Sequence, residues 1–514
     1  MSKPASPPAP LPEEAEVIVV GGGSAGAAVA ARLAAGGHEV LLLEAGPDPG
    51  PLGSPDWPAD LVDATRLGHS LDWGFDSGET VPGQTLPLER SRVLGGCSAH
   101  NGAVQTWGHR LDYDGWAEYA GPGWEADTLL PLFERASEQQ RVRTYERAEL
   151  TPWQESWLAA WGASGLPLLD DLNGLDETVG AAPESVNIVD DGVRFNAAFA
   201  YLDPLRGDPR LTIAGDALVD RLLLEGERVV GVRALRDGAA VAVRAPLVIL
   251  CGGSFCTPAV LLRSGIGPAA DLRALGIEVA VDLPGVGANL HDQPFVLMSW
   301  EGSEEMARAM AERAAAGWAP DEQVMAKAAS SFDPDCFDVH LLPYSPTHLF
   351  DGRSWHAGAG CLLPRSRGAV KLAAADPETL PLVDHAFYSD PEGHDLAILV
   401  EAVGMLREIA AGPEMSGVLG REKAPGPVGA ATPAAIREYL LSHVDSYWHP
   451  VGTAKMGPES DPTAVADHRG AVRGVEGCLV ADCSLMPTVP RATTAMPASV
   501  IGERIAAFVL GGTT

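Results

Sequence analysis

The chain has 514 residues, of which 46% are hydrophobic, and 36 basic against 69 acidic residues give it a formal net charge of −33. This length predicts more than one domain, because a single hydrophobic core rarely serves more than about 250–300 residues. The strong negative charge repels phosphate backbones and anionic membrane surfaces, so we do not expect a nucleic-acid partner.

The cysteines and the N-terminal segment bear on the compartment of the protein. The seven cysteines are scattered and form no CxxC pair, which argues against a disulfide framework or a structural metal site. Residues 1–14 are rich in Pro and Ala and lack the apolar segment of a secretory signal. The sequence contains no run of about 18 apolar residues, so we predict no membrane span. We therefore expect a cytoplasmic protein.

The first elements form a strand–turn–helix–strand unit. Residues 16–20 (EVIVV) are typical of a buried parallel strand, and an Ala-rich helix is predicted over residues 25–35, before a second strand at 39–43. Between the first strand and the helix lies a G-x-G-x-x-G turn. In such a turn Gly21 allows the tight bend, Gly23 lets the backbone approach a pyrophosphate, and Gly26 lets the helix pack closely on the strand.

An acidic residue completes this unit. Glu44 ends the second strand, about 20 residues after the last glycine, where a carboxylate binds the ribose hydroxyls of a dinucleotide. The helix N-terminus offers N–H groups to the phosphates. The unit predicts dinucleotide binding, and the acid disfavours the 2′-phosphate of NADP. It leaves FAD and NAD open.

Two later segments are also rich in small residues. Residues 92–104 (RVLGGCSAHNGAV) suit a backbone that lies against a flat ligand. An apolar strand at 247–251 leads into a second glycine turn, Gly252-Gly253, and a following helix.

These motifs, in this order, resemble those of the glucose–methanol–choline (GMC) oxidoreductase family. The matching segments are the N-terminal unit, residues 92–101, 253–267, 284–290 (PGVGANL), 364–368 (PRSRG), 449–453 (HPVGT), Asp482 and 487–503. They spread over nearly the whole chain. The resemblance implies that the cofactor is FAD.

The resemblance also assigns residues to the cofactor. The ADP half would lie against the glycine turn and Glu44, the adenine would meet the backbone of Val219, and Asp482 would lie beside the pyrophosphate or ribityl chain. The expected FAD contacts are Gly21, Gly23, Ser24, Ala25, Gly26, Glu44, Ala45, Arg92, Gly96, His100, Asn101, Gly102, Val104, Val219, Gly253, Asp482 and Thr494.

His100 matches the position that carries a covalent flavin link in the choline-oxidising branch of the family. The resemblance therefore implies that an imidazole nitrogen of His100 is bonded to the 8-methyl group of the flavin. The alternative is a histidine that only hydrogen-bonds near the ring.

The resemblance makes His449, in the segment YWHPVGT, the catalytic base that faces the flavin N5. Imidazole can accept a proton near neutral pH. The family usually has a second polar residue, His or Asn, where this chain has Thr493. A threonine can hydrogen-bond an alkoxide but cannot act as a base, so proton removal would fall on His449 alone. Alternatively, Thr493 or Thr494 caps the helix that follows, predicted at about 498–509.

The implied fold is α/β, with a Rossmann-like FAD-binding domain and a discontinuous antiparallel-sheet substrate domain. The FAD-binding domain would comprise residues 15–155, 205–295 and 440–514, and the substrate domain residues 156–204 and 296–439. Residues 301–328 are predicted as a helix, which is either a lid or a surface helix. A strand is predicted at 338–342, and His340, Tyr344 and Trp448 are candidates for the pocket wall.

The implied reaction is oxidation of a small-molecule alcohol to an aldehyde or ketone, with hydride transfer to the flavin N5 and His449 as the base. The electron acceptor would be O₂ or a quinone or protein carrier. A flavin-containing lyase of the same fold, which does no net redox chemistry, is the alternative.

Overall fold

The computed structural model describes residues 10–79, 81, 83–177, 179–190, 192–345, 354–426 and 431–512. The helices within these ranges are α1 (Ser24–Ala35), α2 (Ala59–Val62), α3 (Arg110–Ala120), α4 (Ala126–Gln139), α5 (Pro152–Ala163), α6 (Gly253–Arg263), α7 (Ala269–Ala274), α8 (Glu304–Ala316), α9 (His394–Ala410), α10 (Pro433–Leu440) and α11 (Ala495–Val509).

The strands are β1 (Val17–Val20), β2 (Val40–Leu43), β3 (Phe75–Asp76), β4 (Pro87–Leu88), β5 (Arg143–Thr144), β6 (Gly180–Pro183), β7 (Ser185–Val186), β8 (Ile188–Val189), β9 (Val193–Arg194), β10 (Leu211–Ala214), β11 (Leu218–Glu225), β12 (Arg228–Arg236), β13 (Ala239–Arg244), β14 (Leu247–Leu250), β15 (Ile266–Gly267), β16 (Val281–Asp282), β17 (Pro294–Gly302), β18 (Val324–Ala328), β19 (Val339–Tyr344), β20 (Ser354–Cys361), β21 (Ala369–Lys371), β22 (Leu382–Asp384), β23 (Leu419–Ala424), β24 (Asp445–Ser446) and β25 (Cys478–Val480).

A five-stranded parallel sheet forms the first layer, in the order β10-β2-β1-β14-β25. The central strands β1 and β2 are buried along their whole length, as expected for a parallel sheet covered on both faces. Helix α1 connects β1 to β2, and α11 packs on α1. This arrangement confirms the predicted Rossmann-like α/β fold.

The packing of α11 on α1 depends on a glycine. A Cβ placed on Gly502 would lie 2.4 Å from the backbone oxygen of Ala25. No larger residue fits this contact. The close approach brings the N-terminus of α11 to the same side of the sheet as the N-terminus of α1.

A second layer is an antiparallel seven-stranded sheet. Strands β23-β17-β20-β19-β18-β6 lie in that order, and β24 also pairs with β17. Its strands come from two separate stretches of the chain, residues 180–183 and 294–446. The sheet has the antiparallel character that was predicted for the substrate-side layer. The domain boundaries given above stay a prediction.

One expected helix is shorter than predicted. Residues 301–328 are helical only over α8, and β18 occupies residues 324–328, between β19 and β6 of the antiparallel sheet. Gly317, with φ +155°, ends the helix. The prediction of one continuous helix was wrong because pairing of β18 with two strands outweighs the helical propensity of Ala, Met and Lys. Within the described residues, no helix is long and apolar enough to span a membrane.

Candidate active site

The glycine turn after β1 is built by close backbone contacts. Gly21 has φ +98°, and a Cβ placed on it would lie 2.5 Å from the carbonyl oxygen of Cys251. A Cβ on Gly26 would lie 1.9 Å from the Gly21 oxygen. The roles expected of these two glycines, a tight turn and close helix–strand packing, agree with this geometry.

Gly23 and Gly96 bring two backbone segments together beside this turn. A Cβ on Gly96, where φ is +53°, would lie 2.7 Å from the Cα of Gly23. A Cβ on Gly23 would meet only the Gly96 Cα, at 3.7 Å. The N-terminus of α1 is thus open on the side that faces the cavity.

Glu44 lies at the end of β2 and is buried. Its two carboxylate oxygens accept hydrogen bonds from the N–H groups of Gly22 (2.8 Å) and Gly46 (2.9 Å). Burial raises the pKa of Glu44 to about 7, although these hydrogen bonds and Arg92 oppose the rise. A hydrogen-bond donor in the adjoining cavity would favour the ionised form.

A cavity of about 210 Å³ lies at the carboxyl ends of the parallel strands, the edge at which open α/β sheets bind ligands. The predicted cofactor residues that line it are Gly21, Gly23, Ser24, Ala25, Glu44, Ala45, Gly96, Val219, Gly253 and Asp482.

Two predicted residues do not line either cavity described here. Gly26 lies beneath the turn, against Gly21. Arg92 donates from Nε to the backbone oxygen of Ala45 (3.2 Å) and lies over the ring of Trp73. Both residues support the wall of the cavity from behind.

Asp482 follows β25 and is almost fully buried. It accepts hydrogen bonds from the Gly253 N–H (2.8 Å), the Thr257 hydroxyl (2.6 Å) and the Ser484 N–H (2.7 Å). Burial raises the pKa of Asp482 despite these bonds. The carboxylate ties the glycine turn after β14 to the segment after β25.

A second cavity, of about 290 Å³, shares Ser24, Gly253 and Pro450 with the first, so that the two form one continuous cleft. It runs from the N-terminus of α1 to the antiparallel sheet. The predicted residues that line it are Ser24, His100, Asn101, Gly102, Val104, Gly253, His449, Thr493 and Thr494.

His100 lies on the wall of the second cavity. Burial, together with the charges of Arg90 and Arg194, lowers the pKa of its imidazole to about 4. The ring is therefore neutral near pH 7 and carries a lone pair on one nitrogen.

His449 lies on the wall of the same cavity, in the segment that follows β24. Its Nδ1 is 2.7 Å from Oε1 of Gln293, and its backbone N–H donates to Asp292 Oδ1 (2.8 Å). The ring of Tyr447 lies beside it, with centroids 4.5 Å apart. Burial lowers the pKa of His449 to about 4, although Asp292 opposes the shift.

Thr493 lies on the cavity wall, but its hydroxyl has protein partners. Oγ1 is 3.1 Å from the backbone oxygen of Val104 and 2.9 Å from the hydroxyl of Thr106, whose N–H also donates to it. The helix α11 begins at Ala495 with Thr494 as its N-cap residue, and no side-chain capping bond is formed. Thr494 therefore occupies the predicted N-cap position, but its side chain makes no capping hydrogen bond.

The N-terminus of α11 does reach the cleft. The helix starts at Ala495, three residues before the predicted position 498. Thr494, Ala495 and Ala498 line the second cavity, so the free N–H groups of the first turn point toward the cleft. A helix N-terminus stabilises negative charge.

Of the three other pocket candidates, Tyr344 and Trp448 line the second cavity. His340 lies behind it: its Nδ1 is 3.3 Å from the hydroxyl of Tyr447, and its ring stacks on Phe337. The prediction that His340 faces the pocket was wrong, because Tyr447 stands between it and the cavity.

The cavity also has acidic residues that the sequence analysis did not single out. Glu89, Glu322 and Asp445 line it. A Cβ on Gly102 would lie 2.1 Å from Oε1 of Glu322, and burial raises the pKa of Glu322 to about 7. Glu184 lies close to Glu322, which together with burial raises its pKa well above the usual range.

The cleft fits a dinucleotide that carries a flat ring system. The N-terminus of α1 is open where a pyrophosphate is expected, and a buried carboxylate, Glu44, stands where ribose hydroxyls are expected. Beyond this point the second cavity is lined by residues of two segments rich in small side chains, 96–104 and 493–498.

Comparisons with known proteins agree with this geometry. Models of the N-terminal and C-terminal parts of GMC oxidoreductases match residues 15–295 and 364–502. The chain belongs to the GMC oxidoreductase family. It is therefore an FAD-dependent oxidoreductase that acts on an alcohol, as the motifs implied.

Individual relatives match along nearly their whole length. The chain is 32% identical to choline oxidase of Arthrobacter globiformis, over 91% of this chain and 89% of that protein. It is 35% identical to 5-(hydroxymethyl)furfural oxidase of Methylovorus sp. (strain MP688), over 92% of this chain and 94% of that protein. The crystal structure of pyridoxine 4-oxidase from Mesorbium loti superposes with a TM-score of 0.86 and 26% identity, over 97% of this chain and 100% of that one.

Proposed function

We propose that this GMC oxidoreductase oxidises an alcohol by hydride transfer to N5 of FAD, with His449 as the base that takes the hydroxyl proton. When bound, FAD supplies the hydride acceptor. The observation that supports the proposal most directly is a neutral imidazole on the wall of the second cavity, within the same cleft as the glycine turn.

We propose that the first cavity, of about 210 Å³, binds the ADP half of FAD. The N-terminus of α1 and the N–H groups of its first turn face the pyrophosphate, and Glu44 accepts from the ribose. The backbone of Val219 meets the adenine, and Asp482 lies beside the pyrophosphate or ribityl chain. The isoalloxazine ring then lies in the second cavity, where the N-terminus of α11 stabilises negative charge on the reduced ring.

His449 carries the proton chemistry in this scheme. With a pKa of about 4 its imidazole is nearly all in the neutral, proton-accepting form at pH 7. Thr493 lacks basicity, and its hydroxyl is already bonded to backbone and Thr106. Its part is to shape the wall of the cavity and to offer a secondary hydrogen bond to the alcohol oxygen.

The substrate is a small alcohol of the kind named for the relatives, such as choline, 5-(hydroxymethyl)furfural or pyridoxine. Carboxylic and aromatic side chains share the cavity wall, among them Glu322, Asp445, Tyr344 and Trp448. Such a wall suits an alcohol that carries a cationic or aromatic group. The names of the relatives support O₂ as the acceptor, ahead of a quinone or protein carrier.

An anaerobic experiment tests the role of His449. Flavin reduction by candidate alcohols is followed at 450 nm with the native protein and with the His449→Asn variant. We expect a rate loss of about 10²–10⁴-fold, the usual contribution of a general base. His443→Asn, a substitution at an exposed histidine, is the matched control and leaves the rate unchanged. Flavin that no alcohol reduces would favour a lyase of the same fold.

His100 is proposed as the point of covalent attachment to the 8-methyl group of the flavin. Its neutral imidazole and its place on the wall of the second cavity support this. After denaturation in acid we expect the yellow colour to stay with the polypeptide, and His100→Ala to release it. FAD that is released from the native protein would leave His100 as a non-covalent neighbour of the ring.

A further inference from the structure

Gln293 is the hydrogen-bond partner of the His449 imidazole, with Oε1 2.7 Å from Nδ1. It follows Asp292 at the start of the antiparallel sheet and is fully buried. His291, two residues before Gln293, accepts a hydrogen bond at Nε2 from the Val489 N–H (2.9 Å). Residues 291–293 therefore contact both the segment that carries His449 and the segment around Val489.

The orientation of the Gln293 amide is fixed by its own neighbours. Its Nε2 donates to the backbone oxygens of Leu362 (3.2 Å) and Pro490 (3.0 Å). Carbonyl oxygens can only accept, so the NH₂ group must face them and Oε1 must face His449. A flipped amide would place an oxygen against two oxygens.

This orientation decides which nitrogen of His449 carries the proton. Gln293 Oε1 can only accept, and Nδ1 of His449 lies 2.7 Å from it, so Nδ1 carries the hydrogen. Burial keeps the ring neutral by lowering its pKa to about 4. A neutral imidazole has one N–H, so the other nitrogen, Nε2, has the lone pair.

We infer that Gln293 is a positioning residue that holds His449 in the Nδ1–H tautomer and thereby makes Nε2 the nitrogen that accepts the alcohol proton. The inference rests on the proposed function for its kinetic consequence. It concerns a residue that acts through His449 and that does not line the cleft itself.

Asp292 fixes both partners of this hydrogen bond. Its Oδ1 accepts from the backbone N–H of Gln293 (2.7 Å) and of His449 (2.8 Å), and its Oδ2 accepts from the Ser446 hydroxyl (2.6 Å). Burial alone would raise the pKa of Asp292, but His385, His449 and the Ser446 hydroxyl bring it below the usual value. One buried carboxylate thus sets the distance between the amide and the ring.

The arrangement has a consequence for proton transfer. When Nε2 takes a proton, the ring becomes a cation whose Nδ1–H still points at the Gln293 oxygen, so the amide dipole stabilises the charge. In the other tautomer, Nε2–H would face the alcohol as a donor and could not remove its proton.

The tautomer is measured directly by ¹⁵N NMR of the FAD-loaded protein labelled at histidine, with the His449 signals identified by their loss in His449→Asn. We expect the Nδ1–H pattern in the native protein. An Nε2–H pattern there would overturn the inference, whatever the activity of the enzyme.

Two glutamine variants separate positioning from stability. Gln293→Met removes the acceptor and also two amide-to-carbonyl bonds. Gln154→Met removes two bonds of the same kind, to the backbone oxygens of Asp321 (3.1 Å) and Pro343 (3.2 Å), far from His449 in the chain. We expect Gln293→Met to alter the His449 signals and to lower kcat about 10–100-fold, as loss of an orienting partner does for other functional imidazoles. KM should change less than about threefold if the group acts in the transition state, and Gln154→Met should change none of these.

A conservative variant completes the test. Gln293→Glu keeps an acceptor toward Nδ1–H, and its second oxygen can replace the amide donor to Leu362 or Pro490 only when the carboxyl group is protonated. The neutral acid should therefore restore the tautomer and most of kcat. The other groups that act on His449 are Asp292, Arg90 and His340, and they are unchanged in this variant. Equal kinetics and equal spectra for Gln293→Met and Gln154→Met would refute the inference. Full flavin reduction in His449→Asn would instead refute the proposed function and leave the tautomer result standing.

Discussion

Two glycines of the first turn allow the cofactor site to be tested separately from the fold. Gly23→Ala and Gly26→Ala add the same methyl group three residues apart. On Gly26 the methyl carbon would lie 1.9 Å from a backbone oxygen, whereas on Gly23 the nearest atom is 3.7 Å away. The first contact is impossible without movement of α1, and the second is an ordinary van der Waals contact.

The expected magnitudes follow from these distances. Gly26→Ala should lower the free energy of unfolding by about 1–3 kcal/mol or more, as overpacking does. Gly23 has φ −75°, which alanine adopts readily, so the change should cost less than about 1 kcal/mol of folding free energy. Its methyl group, however, would occupy the open side of the α1 N-terminus. We expect FAD affinity to fall about 10–100-fold, equivalent to about 1.4–2.8 kcal/mol.

The assay measures folding and binding on the same preparations. Both substitutions are made in a His100→Ala background, so that any covalent attachment does not mask the affinity. Unfolding of the apoprotein is followed by thermal denaturation, and FAD binding by quenching of flavin fluorescence. Unchanged FAD affinity in Gly23→Ala, or loss of stability equal to that of Gly26→Ala, would refute the assignment of this turn to the pyrophosphate.

Three further predictions concern two buried glutamates, Glu184 and Glu322, and a glycine of helix α9. Neither carboxylate oxygen of Glu184 has a hydrogen-bond partner among the described residues. Because its pKa is raised in the folded protein, the free energy of unfolding falls as pH rises above the ordinary pKa of 4.5. The gain in melting temperature from Glu184→Gln should therefore grow between pH 5 and pH 8, and a constant difference would contradict this. Glu322 has a pKa of about 7, so KM for an ammonium-bearing alcohol should fall as pH rises through 7, while KM for a neutral alcohol of similar size should not, and Glu322→Gln should remove the difference. Gly404 lies within α9 with no atom within 4 Å of an added Cβ; Gly404→Ala should stabilise the protein by about 0.5–1 kcal/mol in urea unfolding, and a loss of stability would show that the helix packs there.

The sequence was sufficient for the glycine turn because all its determinants are local. A buried strand, a turn with glycines and an Ala-rich helix follow each other within 20 residues, and each glycine acts through its own backbone. The observed elements, β1, α1 and β2, agree with the predicted ranges to within one residue at their ends. The stretch 317–328 was different, because its strand is fixed by partners in β6 and β19 that lie far away in sequence.

The residues around His449 show the same dependence on distant contacts, with a consequence for function. Gln293 is separated from His449 by 156 positions, and no periodicity or spacing distinguishes it from other buried glutamines such as Gln154. Its NH₂ group is held by two backbone carbonyls, as that of Gln154 is, but its oxygen lies 2.7 Å from Nδ1 of His449. The motif HPVGT points to His449 as the proposed base, and a base at this position would be competent only in one tautomer. In our proposal that choice is made by Gln293, which comes from another part of the chain, so neither the family motif nor its spacing could have predicted it.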